Sequence, residues 1–256
     1  MHPVTPEVYI IGGTAIDEDG LLNYLTALDV PQWSTDAPDG PTKIIEIMSR
    51  GCYQSYGVGL NPNVTRVRDG NRAHLRHILA VNHGSVLEHA VVNFKFRNVS
   101  RVFTHELVRH RVGVAISQES LRYVRLTDLG QWVPPCFQDD VNAMEIMDDA
   151  FAYAERAYQD LLGVTAIKEG VDNFNDLPDS KKKEYTSAAR RVAPIGLATE
   201  IGWSCNMREL LHIIRLRTDP SSEEEMQLVF GMVKDLMVER FPNVFNNPSL
   251  AANATT

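Results

Sequence analysis

The chain has 256 residues, 44% hydrophobic and 23% charged, with a formal net charge of -8, a composition that excludes disordered and fibrous classes. The acidic balance argues against a general nucleic-acid coat, which needs a surplus of Lys and Arg facing phosphate. No run of roughly 18 apolar residues is present to span a membrane.

The N-terminus, "MHPVTPEVYIIGGTAIDEDG", lacks a basic region followed by a long apolar run, so an unprocessed, soluble cytoplasmic protein is expected. Cys52, Cys136 and Cys205 are odd in number and outside any CxxC spacing, which suits reduced thiols. After a short N-terminal unit, "PQWSTDAPDGPT" reads as a loop, and "SRGCYQSYGVGLNPN" carries too many glycines for a regular element. Its Gly57-Val-Gly59 is only a weak phosphate-loop signal, with no helix pattern behind it. "RAHLRHILAV" places Leu75, Ile78, Leu79 and Val81 on one face of a short helix. "HAVVNFKFRNVS" alternates Val92, Phe94 and Phe96 with polar residues and predicts a half-buried strand.

Ser100 is placed to cap a helix through "RVFTHELVRHR", followed by extended "VGVAIS". Between Asp139 and Leu162, the spacing of Met147, Phe151, Ala154, Tyr158 and Leu161 predicts a long amphipathic helix. "KKKEYTSAARRVAP" is helical up to Pro194, and "ATEIGWSCNMRELLHIIRLR" is read as a further helix. Ser222 with Glu225 makes a capping box for a last helix with the stripe Met226, Val229, Phe230, Val233 and Met237. The expectation is a single α+β domain over residues 1–256. A short antiparallel sheet packs with several long helices, the core lies at about 43–241, and 242–256 forms a disordered tail.

Three clusters could carry chemistry. "NHGSVLEH" holds His83, Ser85, Glu88 and His89, but its histidines are six apart, a poor spacing for a helical metal pair. In "RHRVGVAISQESLRY", Arg109, His110, Arg111 and Arg122 surround a mild stretch, with Glu106 three residues before Arg109. Paired arginines beside Ser and Gln suit forked recognition of phosphate or of a planar heterocycle, whereas a surface arginine cluster with local salt bridges is the plain alternative. The third cluster gathers Arg190, Arg191, Asn206, Arg208, His212 and Arg217. Three such clusters in an acidic chain point to a convergent site for anionic ligands.

In this order the clusters resemble the flavin-dependent thymidylate synthases. The family's RHR, spacer, S-x-R-Y signature is matched by Arg109-His110-Arg111 and Ser120-Leu121-Arg122-Tyr123. "HGSVLEH" is similar to its H-x-T/S-x-x-E-H segment, and Arg190, Pro194, Asn206, Arg208, His212 and Arg217 match its downstream run in register. The resemblance spans about residues 50 to 240.

It implies that fold and a homotetramer with FAD bound between subunits, methylenetetrahydrofolate as one-carbon donor and NADPH as reductant. His83, Ser85, Glu88, Arg109, His110, Arg111, Asn206, Arg208 and His212 are expected at the flavin. Glu106, Gln118, Glu119, Ser120, Leu121, Arg122, Arg190 and Arg217 are expected at the nucleotide. Ser120, Arg122 and Arg217 are the catalytic candidates, with Ser120 as a polarising residue because no adjacent base is visible to make it a nucleophile. Cys136 is expected to be structural, and no metal is implied.

Three departures fall on the nucleotide side: an eight-residue spacer between Arg111 and Ser120 where seven is usual, Glu106 where Gln is common, and "TDPSSEEEMQ" after Arg217. The expected reaction is methylation of dUMP at C5 to dTMP, with UMP as the alternative substrate, because Glu106 and the longer spacer could accept a ribose 2′-hydroxyl. Two other readings are a metal-dependent hydrolase using His83, His89 and His105, and a nucleotide-binding module without catalysis. No nucleic acid or membrane partner is expected.

Overall fold

A computed structural model describes residues 2–127 and 130–246. Strand β1 (His2–Val4), strand β2 (Glu7–Gly13) and helix α1 (Glu18–Ala27) open the chain. Helices α2 (Gly40–Tyr53) and α3 (Asn71–Ala80), a 3-10 turn (Gly84–His89) and strand β3 (Val91–Ser100) follow. Helix α4 (Arg101–Leu107), strand β4 (Val114–Gln118), strand β5 (Gly130–Trp132) and helices α5 (Pro135–Gln138) and α6 (Val141–Glu169) come next. Helix α7 (Asp179–Ala189), strand β6 (Ala198–Asn206) and helices α8 (Met207–Arg217), α9 (Glu224–Arg240) and α10 (Pro242–Phe245) complete the order.

The fold is the expected α+β mixture. Among the described residues a four-stranded sheet runs β2-β3-β6-β4 and is antiparallel. β1 and β5 form a separate parallel pair, His2 opposite Gly130 and Val4 opposite Trp132, which the sequence reading did not foresee. β3 buries Val92, Phe94 and Phe96 as its alternation requires.

The chain divides into two compact units. Unit 1 comprises 1–9, 95–109 and 116–202, and unit 2 comprises 10–94, 110–115 and 203–256. In unit 1, α6 lays Phe151, Tyr158 and Leu162 against Leu121, Leu126, Phe174 and Leu197. In unit 2, Trp203 packs on Phe94 and Phe230, at ring centroid distances of 5.6 and 6.0 Å, and Met226, Val229, Val233 and Met237 complete the α9 stripe as expected.

Several expectations need correction. Residues 49–53, read as loop, are the last turns of α2. A buried Glu46–Arg50 ion pair at 2.7 Å carries the helix past Gly51, and Gln54 in the left-handed region (φ 49°) ends it. On α3 the buried face is Asn71, His74, Leu75 and Ile78, while Val81 is exposed. The helix capped by Ser100, whose Oγ accepts from the Phe103 amide at 3.1 Å, stops at Leu107, so Arg109, His110 and Arg111 lie in the turn beyond it.

On α6, Leu162 is buried and Leu161 is 44% exposed. Residues 198–206 are strand, not helix: Thr199, Ile201, Trp203 and Cys205 are buried at every second position, a period-two pattern masked by the helical run after it. α9 is capped by the Glu223 carboxylate, which accepts from the Met226 amide at 3.0 Å, while the Ser222 hydroxyl donates to the Leu216 carbonyl at 2.8 Å. Pro242–Phe245, expected in the tail, is a helical turn that buries Val244 and Phe245; residues 247–256 of that tail lie outside the described residues.

Candidate functional site

In unit 2, residues from each of the three sequence clusters meet along α8. Asn206 caps the helix, its Oδ1 accepting from the Glu209 amide at 2.9 Å, while its own amide donates to the Gly113 carbonyl at 3.0 Å. Gly113 has φ 64°, and a Cβ there would stand 1.9 Å from Asn206 Nδ2. Only glycine lets the turn after the RHR segment lie so close to the cap.

In the first turn of α8, Arg208 Nη1 donates to Glu88 Oε1 at 2.5 Å, joining the first cluster to the third. Gly84 approaches this guanidinium closely, since a Cβ there would stand 3.0 Å from Arg208 Nε. At the far end of the helix, Arg217 Nε donates to His110 Nε2 at 2.9 Å. His110 is nearly buried, and accepting at Nε2 places its ring proton on Nδ1.

Two clefts flank Arg208. One, of about 200 Å³, is lined by His83, Gly84, Leu87, Leu211, His212 and Arg215. The other, of about 420 Å³, is lined by Glu88, Val112, Asn206, Glu209 and His212. Tyr53, from α2, stands edge-on to His83 with its hydroxyl 3.3 Å from Nδ1. His212 lines both clefts and is exposed, as are Ser85 and Arg111. The donors around these clefts are guanidinium, imidazole and amide, a set suited to pyrophosphate and to the polar edge of a planar ring.

The residues expected at the nucleotide lie in unit 1, apart from Arg217. Gln118 Nε2 donates to Thr104 Oγ1 at 3.2 Å. Glu119 pairs with β6, its amide donating to the Glu200 carbonyl at 2.9 Å and its Oε2 accepting from the Glu200 amide at 3.2 Å. Ser120 opens the turn that follows, and Arg122 Nε donates to Ser187 Oγ on α7 at 2.9 Å. Arg190 is exposed at the end of α7.

Some placements differ from expectation. Leu121 is a core residue 6% exposed, so its side chain packs rather than binds. Glu106 is engaged by Arg109 at 2.9 Å, an exposed i,i+3 pair. The long spacer is a Val112–Gly113 turn followed by strand β4, in keeping with the extended reading of "VGVAIS". Cys136, expected to be structural, is exposed, and Cys205 is a buried thiol whose pKa burial pushes up. Among the described residues no group of three or more His, Cys, Asp or Glu side chains is arranged to hold a metal, so His83, His89 and His105 have no geometry behind the hydrolase reading.

Arg101 was missed. Its Nε and Nη2 are buried without a hydrogen-bond partner, and burial pulls the guanidinium below its usual value; Glu119 opposes that shift and Arg190 adds to it. A signal was present: a cation at the first position of a helix opposes the helix dipole and needs another reason to be there.

A sequence model described as thymidylate synthase complementing protein matches residues 35–243. The flavin-dependent thymidylate synthase of Mycobacterium tuberculosis (strain H37Rv) is 38% identical over 207 residues, covering 80% of this chain and 78% of that protein. The protein of the same name from Mycobacterium avium (strain 104) is 37% identical over 234 residues, covering 91% and 88%. Among solved structures, a UMP/dUMP methylase, PolB, from Streptomyces cacaoi, bound with 5-Br dUMP, matches with a TM-score of 0.63 and 16% identity over 96% of both chains.

Proposed function

The chain belongs to the thymidylate synthase complementing protein family, and from that premise we propose that it methylates C5 of dUMP to give dTMP, with FAD, methylenetetrahydrofolate and NADPH. The observation that carries this reading is the meeting of the three clusters at α8, through Glu88–Arg208, Gly113–Asn206 and His110–Arg217.

The residues present fit a flavin. Gly113 holds the backbone where a Cβ would clash with Asn206, Gly84 lines one cleft in close approach to Arg208, and the two clefts carry Asn206, Arg208 and His212. His83 and Glu88 line the same clefts, and Ser85, His110 and Arg111 belong to the same unit and are assigned to the flavin with them. When bound, reduced flavin supplies the hydride, so no protein thiolate is required. That agrees with a Cys205 thiol held protonated by burial.

Uridylate phosphate suits Arg101, Arg122 and Arg190, since arginine forks match phosphate oxygens in two places at once. Gln118 and Ser120 present polar groups for the base and sugar. Negative charge builds on the uracil ring as C5 is methylated, and a positioned guanidinium stabilises it. Arg217 has this role. His110 fixes its direction by accepting from Nε, which links the ring-stabilising arginine to the segment that holds the flavin. The working form is a homotetramer in the cytoplasm with the flavin shared between subunits. Exposed Tyr153, Val164 and Ile167 on α6 offer apolar surface for contacts between copies, and native mass measurement checks it.

The test is anaerobic turnover with FAD, NADPH, methylenetetrahydrofolate and equal dUMP and UMP, with products identified by mass. Excess methylated dUMP supports the proposal. Excess methylated UMP transfers it to the ribonucleotide, and absence of FAD binding rejects it. Arg217→Ala and Arg122→Ala each lower kcat/KM by about a hundredfold or more, as loss of a charge-stabilising or phosphate-holding donor does. Both remain folded, by thermal melting.

A further inference from the structure

Unit 2 holds a larger cavity that the reading above does not use. It has a volume of about 550 Å³, within the range of small-ligand sites, and lies between α2, α3 and the segment 63–68. Arg50, Arg66, Arg68, His74 and His77 line it, and none of its lining residues is Asp or Glu, although the whole chain carries a net charge of -8. The charge of Arg50 is met from behind by buried Glu46. Arg66 and Arg68 therefore supply the positive charge that faces the cavity.

The walls are tied in place. Arg50 Nη1 donates to the Ser55 carbonyl and Nη2 to the Arg68 carbonyl, each at 3.0 Å, so one buried ion pair holds both ends of the segment 55–68. The Ser49 hydroxyl donates to the Glu46 carbonyl at 3.0 Å and so accepts from His74 Nε2 at 2.6 Å. Burial and Arg50 lower the His74 pKa to about 4, and burial and Arg68 lower that of His77. Near neutrality the His74 imidazole acts as a hydrogen-bonding group in the cavity wall.

The cavity also adjoins one of the candidate flavin clefts. Ile78 lines both it and the cleft of His83 and Arg208, and Tyr53 lines it while its hydroxyl reaches His83.

We infer that this cavity binds the anionic end of a small organic ligand, with carboxylate or phosphate groups on Arg66 and Arg68 and the remainder directed past Tyr53 toward His83. Two arginines on a preformed cavity whose lining includes no carboxylate favour such groups. The inference rests on the flavin reading only for what lies beyond His83.

Isothermal titration of the full chain with γ-linked triglutamate and with inorganic pyrophosphate tests it. At least one probe binds, and the Arg66→Ala/Arg68→Ala variant binds it about tenfold or more weakly. The Arg72→Ala/Arg76→Ala variant removes the same charge from exposed positions outside this cavity and stays within about twofold of wild type. Preference for triglutamate assigns the site to a carboxylate chain, and preference for pyrophosphate to a phosphate ligand. Failure of both probes at millimolar concentration, or equal weakening in the two variants, overturns the inference. FAD titration of the same samples keeps the questions separate. Wild type that fails to bind FAD rejects the flavin reading and leaves the anion result standing.

Discussion

At the scale of single residues, His74 shows how the fold sets a proton's affinity. Burial and the neighbouring Arg50 charge lower its pKa from 6.5 to about 4. The unfolded chain therefore binds a proton there that the folded chain refuses. Stability is full above about pH 6.5 and falls as pH drops toward 4, by about 2 to 3 kcal/mol from this group. Thermal melts between pH 4 and 7 follow that slope in the wild type, and His74→Gln flattens it. Gly113 is a second such position. Gly113→Ala forces a Cβ into Asn206 at a positive φ, and loss of the cap with the left-handed strain costs about 2 kcal/mol. Gly57→Ala, with no atom within 4 Å of the added Cβ, leaves the melting temperature nearly unchanged. Equal melting temperatures for the two variants would refute this account.

At the scale of elements, α2 is held by polar groups as much as by apolar ones. Glu46 is 1% exposed, pairs with Arg50, and accepts from the Thr35 hydroxyl at 2.5 Å and Asn71 Nδ2 at 2.8 Å. It joins α2 to the first turn of α3 and to the loop before α2. Glu46→Ala leaves Arg50 as an uncompensated buried charge and costs about 3 to 5 kcal/mol, read by denaturant unfolding. Glu46→Gln keeps hydrogen-bonding capacity and costs less. The same network explains why a glycine-containing stretch that reads as a loop is helix through Tyr53: the partners of Arg50, at Ser55 and Arg68, are not visible in a local window.

At the scale of the molecule, the clefts beside Arg208 connect ligand binding to stability. FAD that binds only the folded chain raises its stability by about 2.7 kcal/mol at a hundred times Kd. A rise in melting temperature with FAD, largely lost in Arg208→Ala, is the expected result. Removal of Arg208 without effect on that rise would mean that the flavin does not use this helix. Among the described residues no helix is long and apolar enough to cross a membrane.

The sequence by itself determined the α+β class, the stripe of α9, the alternation of β3, the Ser100 cap and the motifs of the family, because each is written in residues close together in the chain. Tertiary structure decided the rest. The buried alternation of β6 merged with the helical run after it, and only strand pairing separates the two. Leu121 matched a motif and is core because α6 covers it. Arg101 gave no motif, and the burial of its donors, with the charges of Glu119 and Arg190 acting on it, is set by residues distant in sequence. Gly113 and Asn206 lie 93 positions apart in number, yet one cannot change without moving the other. Local pattern fixes an element where its period is unmixed, as in β3 and α9; elsewhere burial and long-range contact decide the element and which of its side chains are left to do chemistry.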